Sequence, residues 1–324
     1  MSAQYRVLFT DRAWPDSDLE REILLRAGAD LVEAPNYEES TLIDLVQQVD
    51  AVATCWAPVT SAVIRSAGRC RLISRFGIGL DNISVETATE LRIPVTNIPD
   101  YCVPEVADHA VALLLACARK VAFYHHLAKD GCYNLQAGPA MHRLEGSVLG
   151  LVGFGRIGQA VAQRATAFGI EVIAHTRSQA DHGTGCRMVS FDELLEKSDF
   201  VSLHLPLSQT TRHLMSEAEF ERMKPSAYLV NTSRGPLINH DALLRALETG
   251  QVAGAALDVF DPEPPDLRER LFRDERVVVT PHAAFLSAES LDNLRRRVAH
   301  QIADALQGLR PEHVVNPEVY EDPA

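Results

Sequence analysis

The chain of 324 residues has no excess of positive charge, no long apolar run and no closely paired cysteines. With 31 Lys and Arg against 44 Asp and Glu, its formal net charge is -13 at pH 7. That balance argues against a nucleic-acid backbone as the main partner, which would need basic patches. It leaves room for a small anion, because a few local cations can dominate one pocket. No apolar stretch reaches the roughly 18 residues of a membrane helix, so no membrane partner is expected. The six cysteines (Cys55, Cys70, Cys102, Cys117, Cys132 and Cys186) form no Cys-x-x-Cys pair, and no metal site is expected. Met1 to Thr10 enter a strand-like run with no leader pattern, and scattered thiols suit a reducing compartment, so a cytoplasmic protein is expected. Repeats and low-complexity tracts are also missing.

What is present is alternation. Short β-branched runs at Arg6–Thr10, Leu31–Glu33, Ala51–Thr54, Leu72–Arg75 and Pro94–Asn97 are separated by helical patterns such as Asp18–Ala27 and Thr41–Gln48. A second series follows at Val148–Val152, Glu171–His175, Phe200–Leu205, Tyr228–Asn231, Ala253–Asp258 and Val277–Thr280. Such alternation predicts an α/β protein with two Rossmann- or flavodoxin-like domains, each around a parallel sheet. Between the series, Pro104–Arg119 has apolar residues at helical spacing, for core packing or a dimer surface. Ser290–Leu309 reads as a second helix, ended by Gly308 and Pro311, that returns to the first domain. The expected division is therefore residues 1–102 with 290–324 as a discontinuous substrate (catalytic) domain, and 103–289 as a dinucleotide-binding domain. The active site is expected in the cleft between them.

The strand at Val148–Val152 runs into Gly153-Phe154-Gly155-Arg156-Ile157-Gly158 and then a helical stretch. Glycines at this spacing permit a tight turn, close approach to a pyrophosphate and close helix–strand packing. Gly153, Gly155, Arg156, Ile157 and Gly158 are thus candidate cofactor residues, with the phosphates on the helix amino terminus. After the next strand, an NAD-preferring site usually carries an acid for the ribose hydroxyls. Here the residues are His175-Thr176-Arg177-Ser178. Arg177 suits a 2′-phosphate, flanked by the hydroxyls of Thr176 and Ser178, so NADP is favoured over NAD.

Three later stretches each begin where a strand ends: Asn231–Pro236, Ala256–Pro264 and Thr280–Ala284. They carry Arg234, Glu263 and His282. A 2-keto acid needs a guanidinium to grip its carboxylate or polarise its carbonyl, which Arg234 can do with two donors. It also needs an acid titrating near neutrality to protonate the carbonyl oxygen as hydride arrives at C2, which suits His282. A carboxylate beside that ring, Glu263, would orient it and favour its charged form.

These motifs, together with Phe76-Gly77-Ile78-Gly79-Leu80-Asp81-Asn82-Ile83, resemble the signatures of the D-isomer-specific 2-hydroxyacid dehydrogenase family, in order and over nearly the whole chain. The stretches Phe76–Ile83, Val106–Asp108 and His282–Ala284 look most like its C-terminal-binding-protein branch. The resemblance implies D-specific hydride transfer between NAD(P)H and a small 2-keto or 2-hydroxy acid, and a homodimer formed through the cofactor domain. It also implies that N–H groups at Gly77 and Ile78 bind the substrate carboxylate and that Asp258 contacts the nicotinamide carboxamide. Pro206, Thr211 and Thr232 would line the cofactor cleft.

The loop Cys55-Trp56-Ala57-Pro58-Val59-Thr60 has no Arg or Lys for a phosphate, so a phosphorylated acid is disfavoured, and Trp56 is a candidate to shape the substrate pocket. Glyoxylate, hydroxypyruvate and longer 2-keto acids stay open. Two other readings of the scaffold are a nucleotide-sensing, corepressor-like binding protein and a phosphite-type dehydrogenase.

Overall fold

The computed structural model describes residues 3–321. The chain divides into two compact units, one from the residues up to Tyr101 with those from Ser287 onward, the other Cys102–Leu286.

In the first unit five strands, β1 (Tyr5–Phe9), β2 (Ala29–Glu33), β3 (Ala51–Thr54), β4 (Leu72–Arg75) and β5 (Val95–Thr96), lie in the order β2-β1-β3-β4-β5. All four neighbouring pairs are parallel. Alternate side chains serve opposite faces. Val7, Phe9, Ala51, Ala53 and Leu72 enter one core, and Leu8, Val52, Ile73 and Val95 the other. Both faces are covered, which is why the central strands β1 and β3 bury apolar residues on both sides, while the edge strand β2 exposes Asp30 and Glu33. The helix Ala288–Leu306 covers the first face with Leu294, Val298, Ile302 and Leu306 at helical spacing. It begins before Ser290 because Ser287 and Ser290 form a reciprocal cap. Ser290 N–H donates to Ser287 Oγ (2.8 Å), and Ser287 N–H donates to Ser290 Oγ (2.9 Å).

The second unit holds seven strands, β6 (Val148–Val152), β7 (Glu171–His175), β8 (Arg187–Met188), β9 (Phe200–Leu203), β10 (Tyr228–Asn231), β11 (Gly254–Leu257) and β12 (Val277–Val279). Their order is β12-β11-β10-β9-β6-β7-β8, parallel throughout. The sequence pattern yields six of them; β8 has two residues and no apolar run to announce it. Strand order reverses between β6 and β9, so the crevice beyond the carboxyl ends of these two strands is a topological switch point. The stripe on the helix Val103–Arg119 resolves as core, because Ala107, Ala110, Leu113, Leu114 and Cys117 pack on Leu149, Leu151, Val230 and Ala256. Among the described residues no helix is long and apolar enough to cross a membrane.

Candidate active site

In a parallel sheet all carboxyl ends share one edge. The register aligns Val152 with His175 and Leu203, Leu203 with Asn231, Asn231 with Leu257, and Leu257 with Val279. The residues that follow these strand ends, from Gly153 to His282, therefore gather along one side of the second unit.

At β6 the backbone turns sharply. Gly153 has φ +95°, and a Cβ there would lie 2.3 Å from the carbonyl oxygen of His204 at the end of β9. A Cβ on Gly158 would come within 2.6 Å of Gly153 O, so the helix Arg156–Thr166 approaches the strand closely only with glycine at that position. Gly155 differs from both. Open space surrounds the site of its missing Cβ, and as the helix cap it supplies no side-chain acceptor to the first-turn N–H groups of Arg156, Ile157 and Gly158. An open approach to a helix amino terminus suits a diphosphate. Thr232, after β10, carries a buried hydroxyl with no partner among the described residues, a further polar atom suited to a bound ligand. Thr211 Oγ1 donates to Pro206 O (2.9 Å) and accepts from Ser208 N–H (2.8 Å), which shapes the loop after β9. His204 at that strand end is held neutral. Burial pushes its pKa down to about 4, and its Nε2 lies 2.8 Å from Ser202 Oγ.

After β7, Thr176 Oγ1 and Ser178 Oγ are 3.2 Å apart, and Arg177 is exposed beside them. Gln179, which the sequence pattern does not single out, pins the turn through Nε2–H to Thr176 O (2.9 Å). No acidic side chain occupies this strand end.

The candidate reactive groups stand on the other half of the edge. His282 Nδ1 lies 2.6 Å from Glu263 Oε1. A carboxylate can only accept, so this nitrogen carries the hydrogen. Both side chains are partly exposed, at 22% and 35%. Arg234 follows β10 in a turn fixed by the buried Asn231, whose Nδ2–H donates to Arg234 O (2.8 Å) and whose Oδ1 accepts from Ser233 N–H (3.0 Å). The guanidinium is half-buried and donates to Ser233 O at 2.7 Å.

Asp258 is wholly buried. Its Oδ1 accepts from Thr280 Oγ1–H (2.6 Å) and Ala283 N–H (2.9 Å), and its Oδ2 accepts from Ala284 N–H (2.9 Å). Its backbone carbonyl accepts from His282 N–H (2.8 Å). The carboxylate that the family resemblance assigns to the nicotinamide thus clamps the turn that carries His282. Burial alone would raise its pKa, but hydrogen bonds from His109, Thr280, Ala284 and Ala283 outweigh that and hold it below the ordinary value.

In the first unit, Gly77 (φ +148°) and Ile78 follow β4. The buried Arg75 braces that loop, with Nε–H donated to Asn82 Oδ1 (3.0 Å) and a further bond to Phe76 O. Trp56 is 44% exposed, and its N–H donates to Asp11 Oδ2 at 2.7 Å. Asp11 Oδ1 takes Cys55 N–H as well (2.8 Å), so one carboxylate holds the start of the Trp56 loop.

A cavity of about 960 Å³ opens at the opposite, amino-terminal edge of the larger sheet, beside Lys120, Asp199, Tyr228 and Arg276; none of the candidate site residues lines it.

A family model described as D-isomer specific 2-hydroxyacid dehydrogenase, NAD binding domain, matches residues 111–284. A glyoxylate reductase of Thermococcus litoralis is 39% identical over 288 residues, which cover 86% of this chain and 87% of that one. A hydroxypyruvate reductase of Thermotoga maritima is 37% identical over 308 residues, 94% and 98% of the two chains. The crystal structure of a glyoxylate reductase from Paecilomyes thermophila superposes with a TM-score of 0.89 at 30% identity, covering 98% of this chain and all of that one (100%). The narrower likeness to the C-terminal-binding-protein branch gains no support from these relatives.

Proposed function

The chain belongs to the D-isomer-specific 2-hydroxyacid dehydrogenase family, and from that premise we propose that it reduces a small 2-keto acid, glyoxylate or hydroxypyruvate in the first instance, to the D-2-hydroxy acid with NADPH. The observation that carries this reading is the 2.6 Å pairing of Glu263 with His282 Nδ1, on the strand edge that also bears Arg234. A nicotinamide bound there would supply the hydride. Arg234 holds the substrate carboxylate and polarises the keto group, and His282 Nε2 gives the proton to the keto oxygen as charge develops there. Glu263 keeps the ring in the tautomer and orientation this transfer requires. In the first unit, the N–H groups of Gly77 and Ile78 are the further carboxylate donors, and Trp56 shapes the side-chain pocket. The Trp56 loop, without Arg or Lys, favours an unphosphorylated acid.

The NADPH preference rests on Thr176, Arg177 and Ser178, where two hydroxyls and a guanidinium offer donors to a 2′-phosphate and no carboxylate repels it. Gly153, Gly155, Arg156, Ile157 and Gly158 take the pyrophosphate, with Pro206, Thr211 and Thr232 along the cleft and the carboxamide near Asp258. The protein is cytoplasmic in this reading, and a second copy of the chain is its partner. Val121, Tyr133, Leu135 and Met141 support the pairing, since these large apolar side chains are exposed on consecutive segments of the cofactor unit.

The experiment is a panel of glyoxylate, hydroxypyruvate, pyruvate and longer 2-keto acids with each reduced cofactor, followed by loss of cofactor absorbance and chiral analysis of the product. The expected result is NADPH-dependent turnover to the D-acid. Cofactor binding without turnover of any acid would instead favour a nucleotide-sensing protein, and phosphite-dependent reduction of NADP a phosphite-type enzyme.

A further inference from the structure

We infer that His109, on the helix Val103–Arg119, is a positioning residue that sets the geometry of the His282 turn; this rests on the proposed acid role of His282. His109 Nε2 lies 3.0 Å from Thr280 Oγ1 and 3.4 Å from Asp258 Oδ1. The direction of each bond follows from counting hydrogens. Thr280 has one hydroxyl hydrogen, and Oγ1 stands 2.6 Å from a carboxylate oxygen that can only accept, so the hydrogen points to Asp258. What Thr280 then offers His109 is a lone pair, and Nε2 of His109 must carry a hydrogen to meet it. A chain results: His109 Nε2–H to Thr280 Oγ1–H to Asp258, which in turn receives the N–H groups of Ala283 and Ala284, while its carbonyl receives that of His282.

His282 needs such a clamp. Its φ is +52°, a left-handed conformation uncommon outside glycine, and it persists only where the surroundings over-determine it. The helix that carries His109 is itself anchored, with Ala110, Leu113 and Leu114 buried in the core of the sheet. The chain of bonds thus ties the orientation of the His282 turn to a rigid element. Without the His109 donor, the Thr280 hydroxyl gains freedom to leave Asp258, and the His282 turn loosens. A misplacement of about 1 Å at a reacting group costs about 100-fold in rate.

The test uses the intact protein and the variants His109→Leu, His109→Gln and Thr280→Val, with the double variant. His109→Leu lowers kcat about 10–100-fold while KM for the keto acid and Kd for NADPH stay within about threefold. His109→Gln, whose amide N–H reaches the same place, recovers most of the loss. The double variant is no worse than the poorer single variant, because all three break one chain. Independently of turnover, nitrogen-15 NMR of labelled histidines shows the His282 ring signals displaced in His109→Leu and restored in His109→Gln. Unmoved His282 signals in His109→Leu would overturn the inference, as would a loss that glutamine does not rescue. Failure of the keto-acid reading is seen separately, as absent turnover in the unaltered protein, and leaves the NMR result to decide.

Discussion

At the residue scale, the side chains of the proposed site have their partners already in place. Glu263 orients His282, Asn231 shapes the Arg234 turn, and Asp258 fixes the backbone beneath the imidazole. Cofactor choice is the residue-scale feature most open to test. In Thr176→Asp a carboxylate replaces a hydroxyl that stands 3.2 Å from Ser178 Oγ. It repels a 2′-phosphate and offers ribose hydroxyls an acceptor. The ratio of kcat/KM for NADPH over NADH should fall by about tenfold or more, equivalent to about 1.4 kcal/mol; an unchanged ratio would locate selectivity elsewhere. The candidate residues could be named from the sequence because most of them lie in local motifs that follow a strand end. His109 and the clamp role of Asp258 were not, because their bond joins residues far apart in the chain and no spacing rule connects them.

At the element scale, the turn between β6 and the helix Arg156–Thr166 shows how backbone geometry selects sequence. Gly153→Ala places a Cβ 2.3 Å from His204 O at φ +95°. The cost expected is about 1–3 kcal/mol of stability, read as a lower Tm, together with weaker NADPH binding. Gly155→Ala, into open space, should leave Tm nearly unchanged and weaken NADPH alone. Equal Tm values for the two variants would contradict this division of roles. The strand series and the glycine turn were readable from periodicity and composition. Helix ends were less so, since the start of Ala288–Leu306 depends on a reciprocal serine cap, and β8 owes its two residues to pairing with β7 rather than to its own pattern.

At the scale of the whole molecule, two parallel sheets with both faces covered explain the apolar central strands, and one sheet edge gathers motifs spread from Gly153 to His282. The same burial sets the response to acid. His204 has its pKa depressed to about 4 in the folded chain, against an ordinary value near 6.5. The unfolded chain therefore binds this proton first. Stability from the neutral ring is full above pH 6.5 and is lost as pH falls toward 4, by at most about 3 kcal/mol. Denaturant melts between pH 7 and 4 should show this slope, and His204→Gln should reduce it; an identical slope in the variant would remove His204 as its source. The central claim is that the Glu263–His282 pair delivers a proton to a keto oxygen as hydride arrives, and glyoxylate-dependent oxidation of NADPH by the intact protein, run beside His282→Ala, tests it most directly. The unaltered chain should turn over, and the variant should show a kcat lower by about 10²–10⁴-fold with NADPH still bound. A variant that turns over at the rate of the unaltered protein would contradict it.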